Sequence, residues 1–170
     1  LEVPNRALSE AIQLAQDAGV LVVAAAGNEK KDIDQSHYIP AGLSHSAIIS
    51  VVASTPKDEI IVYKKRGRVI GGSNWGKEKT DLAAPGKKIF STLPHFIEDR
   101  SKQYGELSGT SMAAPHVSGA AALILSQHPE WSYRQVKETI LRSVDSVDAL
   151  KGKTASSGML NVYKALSSTD

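Results

Sequence analysis

The residues best suited to chemistry in this chain lie in one run, Gly109-Thr110-Ser111-Met112-Ala113-Ala114-Pro115-His116-Val117. A serine stands there at the first turn of an expected helix, behind a flexible glycine. Helix N-termini carry unpaired N–H groups and partial positive charge, which favour a nearby oxyanion. A nucleophilic Ser111 would have its own backbone N–H available to a tetrahedral intermediate. Asn28 ends the apolar run Val20-Leu21-Val22-Val23-Ala24-Ala25-Ala26-Gly27 and could supply a second donor from its side-chain amide. Position alone equally allows Ser111 to be a plain helix cap, the commoner use of serine at a helix start.

A serine nucleophile needs a base, and His116 is the nearest candidate in sequence. It lies about 140° around the helix from Ser111 and about 7.5 Å along it. That excludes it as the base and assigns it a structural role. His37, His45, His95 and His128 belong to no motif and read as surface histidines. Gly71-Gly72-Ser73-Asn74-Trp75-Gly76-Lys77-Glu78 approaches a phosphate-binding loop. Glu78 replaces the hydroxyl that would meet Mg²⁺, and Pro85 cuts short the helix that must follow. The acids Asp32, Asp34, Asp58 and Glu59 lack EF-hand spacing, so no metal ligand is nominated. With no cysteine in the chain, a disulfide framework, a thiolate zinc site and a cysteine nucleophile are all ruled out. The basic run Lys64, Lys65, Arg66, Arg68 has only Tyr63 beside it and reads as a solvated turn. A net charge of +2 and nine aromatic residues argue against nucleic acid as a partner.

The elements that must position these groups follow from periodicity. Leu8, Ala11, Ile12 and Ala15 form the stripe of an amphipathic helix, with Asn5 as its cap and Gly19 as its stop. Val20 to Ala26 is apolar on both faces, as in a central parallel strand covered by helices. Ligands in open α/β sheets gather at the carboxyl ends of such strands, where Asn28 sits. Further strands are expected at Ala47–Ala53, Ile60–Tyr63, Asp81–Ala84 and Ile89–Leu93, with turns over 67–76 and a loop over 94–109. A helix from Ser111 to Gln127 has the small interior Ala113, Ala114, Gly119, Ala120, Ala121, Ala122, suited to a buried central position. Ser132 and Gln135 form a capping box for the next helix. Asn161 starts a last short one. Strands alternating with helices argue an α/β fold.

Composition agrees. The 170 residues are 41% hydrophobic, and counting glycine in and tyrosine out gives about 46%, inside the globular range. At roughly 100–200 residues per domain this is one domain, or a large piece of one, without an internal boundary. The longest apolar stretch, Ala18 to Gly27, is ten residues, against roughly twenty for a bilayer span, so no membrane is implied. The opening shows no signal-peptide pattern. Leu1 in place of Met fits a mature form, a fragment or the product of a cut.

The nine residues Gly109 to Val117 resemble the nucleophile block of the subtilisin-like serine peptidases, the subtilases. Val22 to Asn28 is similar to their strand ending in an oxyanion-hole asparagine. Asp81-Leu82-Ala83-Ala84-Pro85-Gly86 and Gly158-Met159-Leu160-Asn161-Val162 resemble two further family segments, in the right order. The resemblance spans about Asn5 to Leu166. It implies a three-layer α/β/α fold with a mostly parallel sheet, Ser111 as nucleophile and Asn28 as oxyanion donor. It also implies that Ala25, Ala26 and Gly27 wall the specificity pocket of a serine endopeptidase acting on polypeptides. No cofactor is required for that chemistry. Structural calcium is possible by the resemblance, with no ligands to name, and secretion is the compartment toward which the family leans.

Subtilisin-type triads run Asp, then His, then Ser along the chain. The blocks resembling "D-[ST]-G" and "H-G-T-H-V" are absent here, and both belong upstream of Asn28. The expectation is therefore the C-terminal part of a peptidase domain, inactive alone. An N-terminal segment of the same domain would be its partner, supplying Asp and His and covering apolar strand edges. The rival reading is a non-catalytic binding or structural protein that kept the fold. An intact Ser111 and Asn28 weigh against it.

Overall fold

The computed structural model describes residues 6–36, 38–94 and 103–168. Asn5, His37 and His95 lie outside them. Helix α1 (Arg6–Asp17) buries Ile12 on its apolar stripe. It ends as the glycine predicts: Gly19 N–H donates to Gln16 O at 3.0 Å and Val20 N–H to Ala15 O at 2.8 Å, the paired bonds of a Schellman stop. The chain then enters β1 (Val22–Ala25). Strand β2 (Ile48–Ser54) is buried along its whole length, as a strand covered on both faces must be.

Two basic-to-apolar segments follow as a hairpin, β3 (Val62–Lys65) and β4 (Arg68–Gly72). Strand β5 (Leu82–Pro85) returns to the main sheet, and β6 (Ile89–Thr92) pairs antiparallel with β7 (Tyr104–Leu107). Helix α2 (Thr110–Gln127) is the longest element described, followed by α3 (Tyr133–Arg142). Ser132 and Gln135 form the expected capping box at the head of α3. Short strands β8 (Asp145–Ser146) and β9 (Gly158–Met159) precede α4 (Val162–Ser167), which Asn161 caps through its bond from Lys164 N–H.

The main sheet has the order β1-β2-β5-β9-β8. Its first three pairings are parallel and the last is antiparallel. Alternation along β2 divides the core. Ile49, Val51 and Ala53 meet α2 through Ala113, Val117 and Ile124, with Val136 of α3 and Ala165 of α4 behind them. Ile48 turns the other way, to Ile12 of α1. Val52 joins Ala26, Ala83, Leu150 and Met159 on that second face. Helices on both faces of a mostly parallel sheet make the three-layer α/β/α arrangement expected.

Three expectations need correction. The loop expected over 94–109 contains β7, because Tyr104 to Leu107 finds its partner only across the turn from β6. The turn-rich 67–76 contains β4, whose pairing with β3 overrides two glycines. Helix α2, expected in a buried central position, is covered on one side only. Its outward Leu123 and Leu125 are exposed.

The β3–β4 connection has two residues, Arg66 (φ 50°) and Gly67 (φ 77°), between the paired Lys65 and Arg68. Positive φ at both positions defines a type I′ turn, which normally takes Asn-Gly. Arginine there carries a left-handed cost of roughly 1 kcal/mol. Arg66→Asn should therefore raise the unfolding free energy by about 0.5–1 kcal/mol. Urea denaturation measures it, and an unchanged or lower midpoint would refute this turn geometry.

Candidate active site

The site forms where β1 ends. Gly27 follows the strand with φ 96°, a left-handed value, and its carbonyl accepts from Asn74 N–H at 2.8 Å. Asn74 is fully buried and spends its amide on the turn. Its Oδ1 accepts from Glu29 N–H (3.1 Å) and Lys31 N–H (2.8 Å). Its Nδ2 donates to Ala26 O (2.9 Å) and Glu29 Oε2 (2.7 Å). Partial burial tends to raise the Glu29 carboxyl, but donors from Asn74, Tyr38 and the backbone outweigh it and hold it below the usual range. This network sets the direction in which Asn28 leaves the strand.

Asn28 and the head of α2 are joined directly. Thr110 N–H donates to Asn28 Oδ1 at 3.1 Å, and Gly27 N–H donates to Thr110 Oγ1 at 3.2 Å. Tyr63 Oη donates to the same Asn28 Oδ1 at 3.3 Å. A backbone N–H can only donate, so the atom facing Thr110 must be oxygen and the amide orientation is determined. Burial pushes the Tyr63 phenol up, which keeps it protonated as a donor. Asn28 Nδ2 is left pointing away from these contacts, with no partner among the described residues. Ser111, the next residue after Thr110, is exposed on the first turn of α2, and its N–H has no acceptor among them either. Two donors without partners among the described residues thus stand at the junction that the Thr110–Asn28 bond makes with the start of α2.

The structure joins Asn28 to Thr110, the residue before Ser111, and puts Ala25, Ala26 and Gly27 at the adjoining strand end. Ala26 and Gly27 are buried and Ala25 is half-buried. His116 does not approach Ser111: its Nδ1 pairs with Met112 O at 2.8 Å, one turn back along α2. Ser111 Oγ has no hydrogen-bond partner among the described residues. His45 and His128 are not the solitary surface groups expected. His45 Nε2 lies 2.9 Å from Ser9 Oγ, and His128 stacks on Trp131 at 4.1 Å. Beside Ser111 an open cavity of about 390 Å³ runs under the β6–β7 hairpin, lined by Ile89, Phe90, Leu107, Met112 and Pro115.

Thr110, Tyr63 and Asn74 were missed in the sequence. Thr110 stood inside the recognised run, but nothing local shows that its N–H and hydroxyl are spent across the sheet. Tyr63 and Asn74 reach the site through contacts spanning 35 and 45 residues. The segment Gly71 to Glu78 is not a phosphate loop: Lys77 to Lys79 is a turn leading to β5, and Asn74 faces the β1 turn. Asp34 caps that turn, accepting from Glu78 N–H and Lys79 N–H, and Asp32 accepts from Asp34 N–H. Among the described residues no group of three His, Cys, Asp or Glu side chains could hold a metal ion. No helix among them is long and apolar enough to cross a membrane.

The subtilase-family model matches residues 2–162. The chain belongs to the subtilase family. This subtilase is 41% identical over 132 residues to the major intracellular serine protease of Bacillus subtilis (strain 168), covering 78% of this chain and 36% of that protein. It is 37% identical over 137 residues to subtilisin E of the same organism, covering 80% of this chain and 31% of subtilisin E. It thus spans about a third of the length of these relatives. Among solved structures, that of subtilase cytotoxin SubAB assembly superposes with a TM-score of 0.75 at 26% identity, over 98% of this chain and 54% of the other. The prenylagaramide maturation protease PagA gives 0.69 at 31% identity, over 94% and 54%.

Gly27 is the residue on which the donor arrangement turns. A Cβ there would overlap Tyr38 Oη and lie 2.5 Å from Asn74 Nδ2, on a backbone that side chains avoid. Gly27→Ala should destabilise this subtilase by about 2–4 kcal/mol, measured by chemical denaturation. A cost below about 0.5 kcal/mol, the ordinary surface value, would show that the turn can relax and is not rigid.

Proposed function

We propose that this chain is the nucleophile-bearing part of a serine endopeptidase that cleaves polypeptides through an acyl-enzyme. The observation that carries the reading is the Thr110 N–H to Asn28 Oδ1 bond, which holds two unpartnered donors, Ser111 N–H and Asn28 Nδ2, at the helix start that bears the exposed Ser111. Membership of the subtilase family supports it. Ser111 Oγ attacks the peptide carbonyl carbon, and the carbonyl oxygen takes up the electron pair as an oxyanion facing the two donors. Collapse breaks the C–N bond, the amine leaves with the serine proton, and water then releases the acid from the ester. Ala25, Ala26 and Gly27 would wall the pocket for the side chain before the cut. No cofactor enters these steps.

The proton carrier is a histidine oriented by an aspartate, and in this proposal both come from a further segment of the same peptidase domain. Two observations support that assignment. Ser111 Oγ meets no base among the described residues, with His116 committed to Met112 O. The solved relatives contain nearly as much chain again as the part matched here.

A fluorophosphonate probe tests the nucleophile. In the complete gene product it should modify Ser111, and Ser111→Ala should abolish labelling. This chain alone should label little or not at all. A folded, complete protein that does not label would favour the non-catalytic reading. Asn28→Leu should lower kcat by about 10²–10³, as removal of one oxyanion donor does in subtilisin, with KM little changed. A loss below about threefold would remove Asn28 from the role. Tyr63→Phe keeps the Thr110 anchor and should cost kcat only a few-fold.

A further inference from the structure

The β3–β4 hairpin carries Lys64, Lys65, Arg66 and Arg68, four cations within five residues. All four are exposed, and none of their side chains has a partner among the described residues. The chain's formal charge is +2, so without these four it would be −2. The basic character of this protein is therefore local.

Two choices in the hairpin work against its own stability. Lys65 stands directly across from Arg68, and like charges opposite one another in a ladder repel. Arg66 occupies a left-handed turn position that Asn or Gly would fill without strain. Local rules broken together in this way are expected where a segment serves a ligand. The repulsion at Lys65 and Arg68 would be relieved by an anion between them.

The hairpin is also joined to the proposed active site. Gly72 N–H donates to Asn28 O at 3.1 Å, and Lys30 N–H donates to Gly72 O at 2.8 Å. A Cβ at Gly71 would come within 2.9 Å of Asn28 O, so glycine permits this approach. The register shift beside Tyr63 places the extra residue, Ile70, on β4 and leaves the alternation along β3 unbroken. Strand alternation puts Lys65 on the same side as Tyr63, whose hydroxyl touches Asn28, and about 7 Å further out. There Lys65, Arg66 and Arg68 line an open groove of about 570 Å³ with the apolar Ile70 among them.

We propose that this hairpin is a docking site for acidic peptide. It selects substrates bearing Asp or Glu about two to four residues from the scissile bond, at ~3.3 Å per residue of extended chain. The proposal rests on the serine-peptidase reading above and adds the substrate class. Among the described residues none that lines the groove is aromatic, and the hairpin's own ring, Tyr63, is spent on Asn28. The groove therefore lacks the stacking surfaces that single-stranded nucleic acid needs.

The test uses the complete protein and fluorogenic peptides that differ only in Asp or Asn at those positions, on either side of the cut. The Asp peptides should show about tenfold higher kcat/KM at low ionic strength, with the advantage mostly gone at ~1 M salt. The combined variant Lys64→Gln, Lys65→Gln, Arg66→Asn, Arg68→Gln keeps the turn, because Asn suits position 66. It should lose the preference and cleave the Asn peptides within about twofold of the parent. Equal cleavage of both peptides by a parent that labels with fluorophosphonate would overturn the docking proposal and leave the peptidase reading standing. A preference surviving in the variant would also overturn it. Absence of labelling would overturn both. A short single-stranded oligonucleotide bound by the parent and not by the variant, without any peptide preference, would reassign the hairpin to nucleic acid.

Discussion

One hydrogen bond organises the site: Thr110 N–H to Asn28 Oδ1, between residues 82 apart in the chain. It ties the carboxyl end of a strand to the amino end of a helix. It also decides which end of the Asn28 amide faces inward. Because the donor is a backbone N–H, the oxygen is consumed and the amino group is left to face outward. Tyr63 reinforces this from a third element, and Thr110 Oγ1 returns a contact to Gly27 N–H. Ser111 inherits its place from that lock, since it is the next residue on a helix whose start cannot shift.

The lock depends on close approach of backbones. Helix α2 lies on β1, β2 and β5 through Ala113, Val117 and Ala121, and the strands answer with Ala53 and Ala84. Small side chains let the helix start and the strand end come within hydrogen-bond reach. Larger ones would hold them apart. At Gly27 and Gly71 even a methyl group collides with the turn or with Asn28 O. Fully buried Asn74 satisfies the polar groups that this tight turn would otherwise strand, a debt that an apolar residue could not meet.

The hairpin follows a different logic. Most of the fold obeys local rules: the Schellman stop after α1, the capping box of α3 and the Asn161 cap of α4. The β3–β4 hairpin departs from them at its turn and at its outermost pair. It does so beside the Asn28 turn, where backbone bonds through Gly72 couple it to the site. Order in the scaffold and local unfavourable charge at its rim are therefore separated in space.

How much was legible follows the range of the interactions. Helix caps and apolar stripes act within one turn, so α1, α3 and α4 could be read from neighbouring residues. Ser111, Asn28 and the small-sided α2 were also visible, because their residue types are unusual for where they stand. Strands β4 and β7 were not, since each is stabilised by a partner strand and not by its own composition. Residue types and their order carry the α/β class and the family likeness, and they nominate Ser111 and Asn28. That Tyr63, Thr110 and Asn74 orient the Asn28 turn, and that the basic run stands beside it, came from the folded chain. Those contacts cross 35 to 82 residues of chain. Hydrogen bonds over such distances leave no local periodicity to read.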